Sequence, residues 1–139
     1  MLATATLVYG PVTFVAELPA LTIPEAPGKV FFHGPDQRAL ENAAARWIID
    51  HGVTAPETIR ALRAGAGLTG SQLAELLGVD RSQVSRWENG KADPGIALWN
   101  TVAQLALESM EGSTRTVDRL RATQSEGPDL KGKIRLALG

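Results

Sequence analysis

The chain has 139 residues, room for one ordinary domain or two small ones, and 44% of them are apolar. With 14 Lys/Arg against 15 Asp/Glu the net charge is −1, which excludes a nucleic-acid coat held by a broad basic field. There is no cysteine, so disulfides and thiolate metal sites are excluded too. No apolar run approaches the length of a bilayer span. The opening MLATATLVYGPVTF lacks a basic start and is broken by Gly10-Pro11, a poor secretory signal. A soluble, cytoplasmic protein is expected.

Residues 1–35 read as a small β region. Thr4 to Tyr9, Val12 to Leu18 and Lys29 to Phe32 are rich in β-branched and aromatic residues and are separated by Gly10-Pro11 and Pro27-Gly28. Two or three antiparallel strands are hardly stable alone. The sheet must therefore pack on a helix or on a second copy of itself, as a cover or as a partner-binding surface. Residues 36–53 predict a connecting helix opened by Gly34-Pro35-Asp36 and stopped by Gly52. Leu40, Ala43, Ala44, Trp47 and Ile48 lie along one face, which makes Trp47 a core anchor. His33 and His51 have no cysteines or clustered carboxylates around them, and no metal site is expected.

Residues 54–123 predict a helical domain. Thr54-Ala55-Pro56-Glu57 reads as a capping box for a first helix that turns Ile59 and Leu62 inward and leaves Arg60 and Arg63 solvated. Thr69 to Lys91, TGSQLAELLGVDRSQVSRWENGK, then reads as two short helices joined by a glycine turn. Thr69 and Gln72 form one capping box and Asp80 with Gln83 a second, while Gly78 ends the first helix where positive φ is required. Leu73, Leu77, Val79, Val84 and Trp87 can share one core, with small Ala74 where the helices approach. The second helix keeps an outward face of Arg81, Ser82, Gln83, Ser85 and Arg86, which carries no acid. That is the layout of a helix-turn-helix whose second helix is free to enter a DNA groove.

This run resembles the helix-turn-helix of the XRE (Cro/C1-type) repressors, whose recognition helix closes with a segment similar to Arg86-Trp87-Glu88-Asn89-Gly90-Lys91. The resemblance implies a repressor that binds double-stranded DNA as a homodimer. Arg81, Ser82, Gln83, Ser85 and Arg86 become the candidates for base contacts, with Arg81 and Ser85 able to contact either bases or phosphates, and Thr69, Ser71, Asn89 and Lys91 are the candidates for phosphate contacts. Arg86 can pair bidentately with guanine O6 and N7, whereas Trp87 and Glu88 look structural. Gly70 departs from the family, in which a phosphate-binding glutamine often opens the first motif helix.

After the motif, Asp93-Pro94 predicts a cap for a further helix to about Ser109. That helix has two apolar stripes, Leu98-Val102-Leu105 and Ile96-Trp99-Ala103-Ala106. One stripe is a candidate dimer surface unless the N-terminal part or the tail covers it. Thr114 to Thr123 predicts a fifth helix of this domain with Val117 and Leu120 inward. Residues 124–139 form a tail, flexible or docked on a partner. The expected fold class is α+β, mainly helical, with a five-helix XRE-type domain after a small sheet and a connecting helix.

The order of elements is also similar to that of the MqsA-type antitoxins: a small β domain, a connecting segment, an A-P-E-containing helix (Ala55-Pro56-Glu57 here) and an XRE-like motif. That likeness implies a toxin as a possible protein partner. The zinc-binding cysteine pairs of that family are missing, with Val30-Phe31-Phe32-His33 where one pair would stand, so zinc is not carried over. No cofactor and no membrane partner are expected. No nucleophile–base pair, carboxylate dyad or phosphate loop stands out, so the chain does not read as an enzyme.

Overall fold

A strand with alternating small or apolar and polar residues can bury one face only, and the first two strands follow that rule. The computed structural model describes residues 1–138, in which β1 (Leu2–Tyr9) pairs antiparallel with β2 (Val12–Leu21) and β2 with the short β3 (Phe31–Phe32). Gly10 takes φ +60° in the two-residue loop, a value that Pro11 beside it cannot reach. Tyr9 pairs with Val12 and Leu7 with Phe14, and these side chains lie on the inward face with Ala5, Ala16 and Ala20. The outward face carries Thr4, Thr6, Val8, Thr13, Val15 and Glu17, and Thr4 donates its hydroxyl proton to Glu17 across the strands.

Helix α1 (Gly34–His51) lies against the inward face and ends on Gly52 in the left-handed region. Its buried side chains are Ala44, Ala45 and Ile48. Trp47 is not the core anchor that the helical stripe predicts: it is 42% exposed. Its indole instead meets Phe14 of β2 edge-on at 5.5 Å and stacks on His51 at 4.0 Å, joining sheet to helix at the surface.

The capping box expected at Thr54 does not form. A single 3-10 turn, Pro56–Thr58, leads into α2 (Ile59–Gly65), with Ala55 at its start and no side-chain cap. The polar organiser here is Thr58, fully buried, whose hydroxyl donates to the Ala55 carbonyl at 2.6 Å and accepts from Trp99 Nε1 at 2.9 Å. That pair satisfies the indole inside the core, which a buried Trp requires.

Helices α3 (Gly70–Leu77) and α4 (Arg81–Glu88) follow, then α5 (Ile96–Met110) and α6 (Arg115–Gln124). The predicted start of α5 at Pro94 moves to Ile96, because Asp93 accepts from the Gly95 N–H and holds a turn first. Neither stripe of α5 is left for a second copy as a whole. Val102 and Leu105 are buried, and so are Trp99, Ala103 and Ala106, against α2, α1 and α6. Only Ile96 protrudes, at 61% exposure. One apolar cluster runs from Tyr9 through Ala44, Ala45 and Ile48 to Ile59, Leu62, Leu73, Val84, Trp87, Trp99, Val102 and Leu105, so the hairpin end and α1 share the core of the helical domain.

Helix α6 closes the far side with Val117 and Leu120, both half-buried, and Gln124 donates its amide to the Leu76 carbonyl at the end of α3. Glu108 ties α5 to α6 by accepting from the Thr116 N–H at 2.9 Å, and within α5 it accepts from Gln104 at 3.2 Å. Hydrogen bonding by Thr116 holds its carboxyl below the usual carboxylate range against the opposing effect of burial. From Glu126 to Leu138 the tail has neither helix nor strand and is exposed.

Candidate nucleic-acid interface

Two helices can present a rigid face only if their ends are fixed, and α3 and α4 are fixed by different means. Thr69 Oγ1 accepts from the Gln72 N–H at 3.1 Å while Gln72 Oε1 accepts from the Thr69 N–H at 2.9 Å, the reciprocal capping box that the sequence predicts. Gly78 takes φ +69° at the end of α3. Its N–H and that of Val79 bond back to the Glu75 and Ala74 carbonyls, turning the chain tightly into α4. Asp80 precedes α4 in an extended conformation but makes no side-chain cap, and the second capping box is absent. Gln83 is therefore not spent on the helix start.

Burial fixes the roll of α4. Val84 and Trp87 face the core beside Leu73 and Ala74, and Val79 is half-buried in the turn rather than enclosed. Trp87 Nε1 is buried and has no hydrogen-bond partner among the described residues.

On the rim facing α2, Glu88 accepts from Arg63 Nη2 at 2.6 Å and from Nε at 3.1 Å, a two-pronged pair. Arg63 also donates to the Leu68 carbonyl at 3.2 Å. Thus Arg63 is not solvated as the first helix's periodicity predicts; it bolts α2 to α4. This is the structural role expected of Glu88, with its partner identified. A side chain donating in a fork to a carboxylate 25 residues away leaves no local trace in the sequence.

With that roll, Ser82 and Arg86 point fully outward, and Arg81 is exposed on the α2-facing rim beside half-buried Ser85. Gln83 is half-buried on the opposite rim. The five proposed base-contacting residues are therefore not equivalent: Ser82 and Arg86 lead, while Gln83 and Ser85 flank. Among the four proposed phosphate partners, Thr69, Ser71 and Lys91 are exposed. Asn89, also exposed, turns its amide back to donate to the Ser85 carbonyl at 2.8 Å and to Ser85 Oγ at 3.3 Å, finishing α4. Arg81, Arg86 and Lys91 form no ion pair among the described residues; the pair there is Arg63–Glu88.

Residues 59–105 match the family model described as helix-turn-helix. The chain carries an XRE-type helix-turn-helix domain. The match covers α2 to most of α5, so the XRE-type domain includes the Arg63–Glu88 pair and the whole outward face of α4. Domains of this kind belong to DNA-binding regulators. No curated protein and no solved structure matches the chain. No helix among the described residues is long and apolar enough to cross a membrane.

The hairpin end packs on this domain. Tyr9 is buried against it, and burial pushes its phenol up, helped by the nearby Glu41 carboxylate. Glu57 fills the space between Gly10 in the hairpin loop and Gly90 after α4: a Cβ added at Gly90 would stand 3.0 Å from Glu57 Oε1, and one at Gly10 would overlap the same side chain.

Proposed function

We propose that the chain is a sequence-specific transcription regulator that binds a palindromic operator as a homodimer and represses its own operon. The observation that carries this reading is the outward face of α4. Arg86 and Ser82 are solvent-facing and have no partner among the described residues, on a helix whose other side is fixed by Val84, Trp87 and the Arg63–Glu88 pair. A guanidinium held there can donate to guanine in the major groove, and Ser82 can reach a neighbouring base edge. Thr69, Ser71 and Lys91 flank that face at the level of the DNA backbone, where contacts set register rather than sequence. With few cations per chain, two copies on half-sites one turn (roughly 34–36 Å) apart would double the phosphate contacts.

The test is a binding titration with the duplex upstream of the chain's own gene, at several salt concentrations. Arg86→Ala should cost on the order of 1–3 kcal/mol at one base pair and relax preference there. Lys91→Ala should weaken all duplexes alike. Unchanged affinity and preference on Arg86→Ala would remove Arg86 from base readout.

A second reading is an antitoxin that holds a toxin on its N-terminal sheet and uses DNA binding for autoregulation. It is favoured by the outward sheet face, where Leu2, Val8, Val15 and Leu21 are exposed together. Co-expression with the product of a neighbouring toxin-like gene decides it: a stoichiometric complex lost on Val8→Asp supports the antitoxin, and independent elution refutes it.

A further inference from the structure

Gly70 is a glycine without a backbone reason. It is absent from the positive-φ glycines, it sits in the first turn of α3, and glycine is among the poorest helix formers. It is also buried although its neighbours Thr69 and Ser71 are exposed. What buries it is the guanidinium of Arg81. A Cβ at Gly70 would stand 2.5 Å from Arg81 Cζ, 2.6 Å from Nε and 2.8 Å from Nη2, closer than real side chains approach. Arg81 opens α4, and a side chain there sweeps back toward the helix start. The missing side chain of Gly70 is the seat in which it comes to rest. Arg81 is exposed and forms no ion pair among the described residues, so the seated guanidinium is open to an outside anion.

We infer that Gly70 assigns Arg81 to the DNA backbone rather than to the bases, an inference resting on the proposed DNA-binding reading. In a helix-turn-helix the first helix crosses the phosphate backbone and the second enters the groove. Arg81 belongs to the second helix by sequence, but its guanidinium lies over the first, beside Thr69 and Ser71. Its ligand is a phosphodiester of the operator, and it contributes salt-dependent affinity without reading sequence. The sequence-reading cation of α4 is then Arg86 alone.

The experiment compares the full chain with Arg81→Ala, Gly70→Ala and the double variant, on a bound duplex and on its single-base-pair substitutions. Arg81→Ala should weaken binding to every duplex by the same factor and reduce the log–log salt slope by about 0.9 per bound chain. That is ~3-fold less affinity loss per chain between about 50 mM and about 200 mM salt. Gly70→Ala leaves an ordinary helical backbone, so it folds, and it should reproduce the slope change; Arg81→Ala should then add little to it. A changed base preference on Arg81→Ala with the slope unaltered would overturn the assignment, and so would additive effects of the two substitutions. The seat has a readout without DNA: the Arg81 Nε–H resonance should be shifted and protected in the parent chain and move to the free-arginine position in Gly70→Ala. An unmoved resonance refutes the seat. Failure of the parent chain to bind any duplex would instead defeat the DNA-binding reading and the phosphate role together, with the resonance still reporting the seat.

Discussion

The helical domain and the N-terminal sheet are joined by one core yet are held in different ways. Around α2 to α5 every element buries apolar side chains on a closed interior, and two polar pairs are held there, Thr58 with Trp99 and Arg63 with Glu88, while Trp87 Nε1 is buried without a partner among the described residues. The sheet has a single packed face. Its other side leaves Leu2, Val8, Val15 and Leu21 in solvent, and β1 is an edge strand with no charged side chain to discourage pairing. A region held from all sides keeps a fixed geometry, which a groove-reading helix needs. A region held from one side keeps a surface to offer, which suits a protein partner.

Substitutions that separate these two modes differ in size. Leu62→Ala, at a fully buried position in α2, should cost about 2–5 kcal/mol in urea unfolding; a loss near zero would mean that the interior is not closed. Glu88→Ala should cost about 1–3 kcal/mol, because Arg63 is left part-buried without its acceptor. Replacing both partners with apolar residues of similar volume should recover much of that loss. Trp47→Ala, which cuts the aromatic bridge between sheet and helix, should cost about 1 kcal/mol in thermal unfolding.

Smaller still is a dependence confined to acid. The folded carboxyl of Glu108 lies below its unfolded value of about 4.3, so its stabilisation is complete above that value and is lost as pH falls through the lower folded one. Glu108→Gln should flatten the fall of Tm in that acid window, and an unchanged profile would deny the Thr116 hydrogen bond a role in stability. Val15→Thr on the open sheet face should change stability by no more than about 0.5 kcal/mol while reducing self-association at high concentration.

The helix-turn-helix was legible because its determinants are local. Thr69 and Gln72 are three residues apart, Gly78 marks the turn by its own conformational freedom, and the apolar spacing of Leu73, Val84 and Trp87 sets the roll of both helices. The three strands and α1 were readable for the same reason. Rotation about a helix axis was not: the stripe through Leu40, Ala44 and Trp47 is displaced toward Ala45, since a sequence period does not say where the neighbouring sheet will stand. Nor were long-range polar pairs. Arg63 with Glu88, Thr58 with Trp99 and Arg81 over Gly70 depend on side chains meeting across the fold. Periodicity leaves one stripe of α5 open as a dimer surface or as a face covered by the rest of the chain, because the covering power of α1 and α6 cannot be counted from it.

The most direct measurement is selection of duplexes from a random pool by the full chain and by Arg86→Ala. The parent chain should enrich one motif repeated in inverted orientation about one helical turn apart. A guanine in each half should lose its enrichment with the variant while the rest of the motif persists. The same motif from both proteins, or no enrichment by either in dilute salt, would contradict the claim that the outward face of α4 reads DNA.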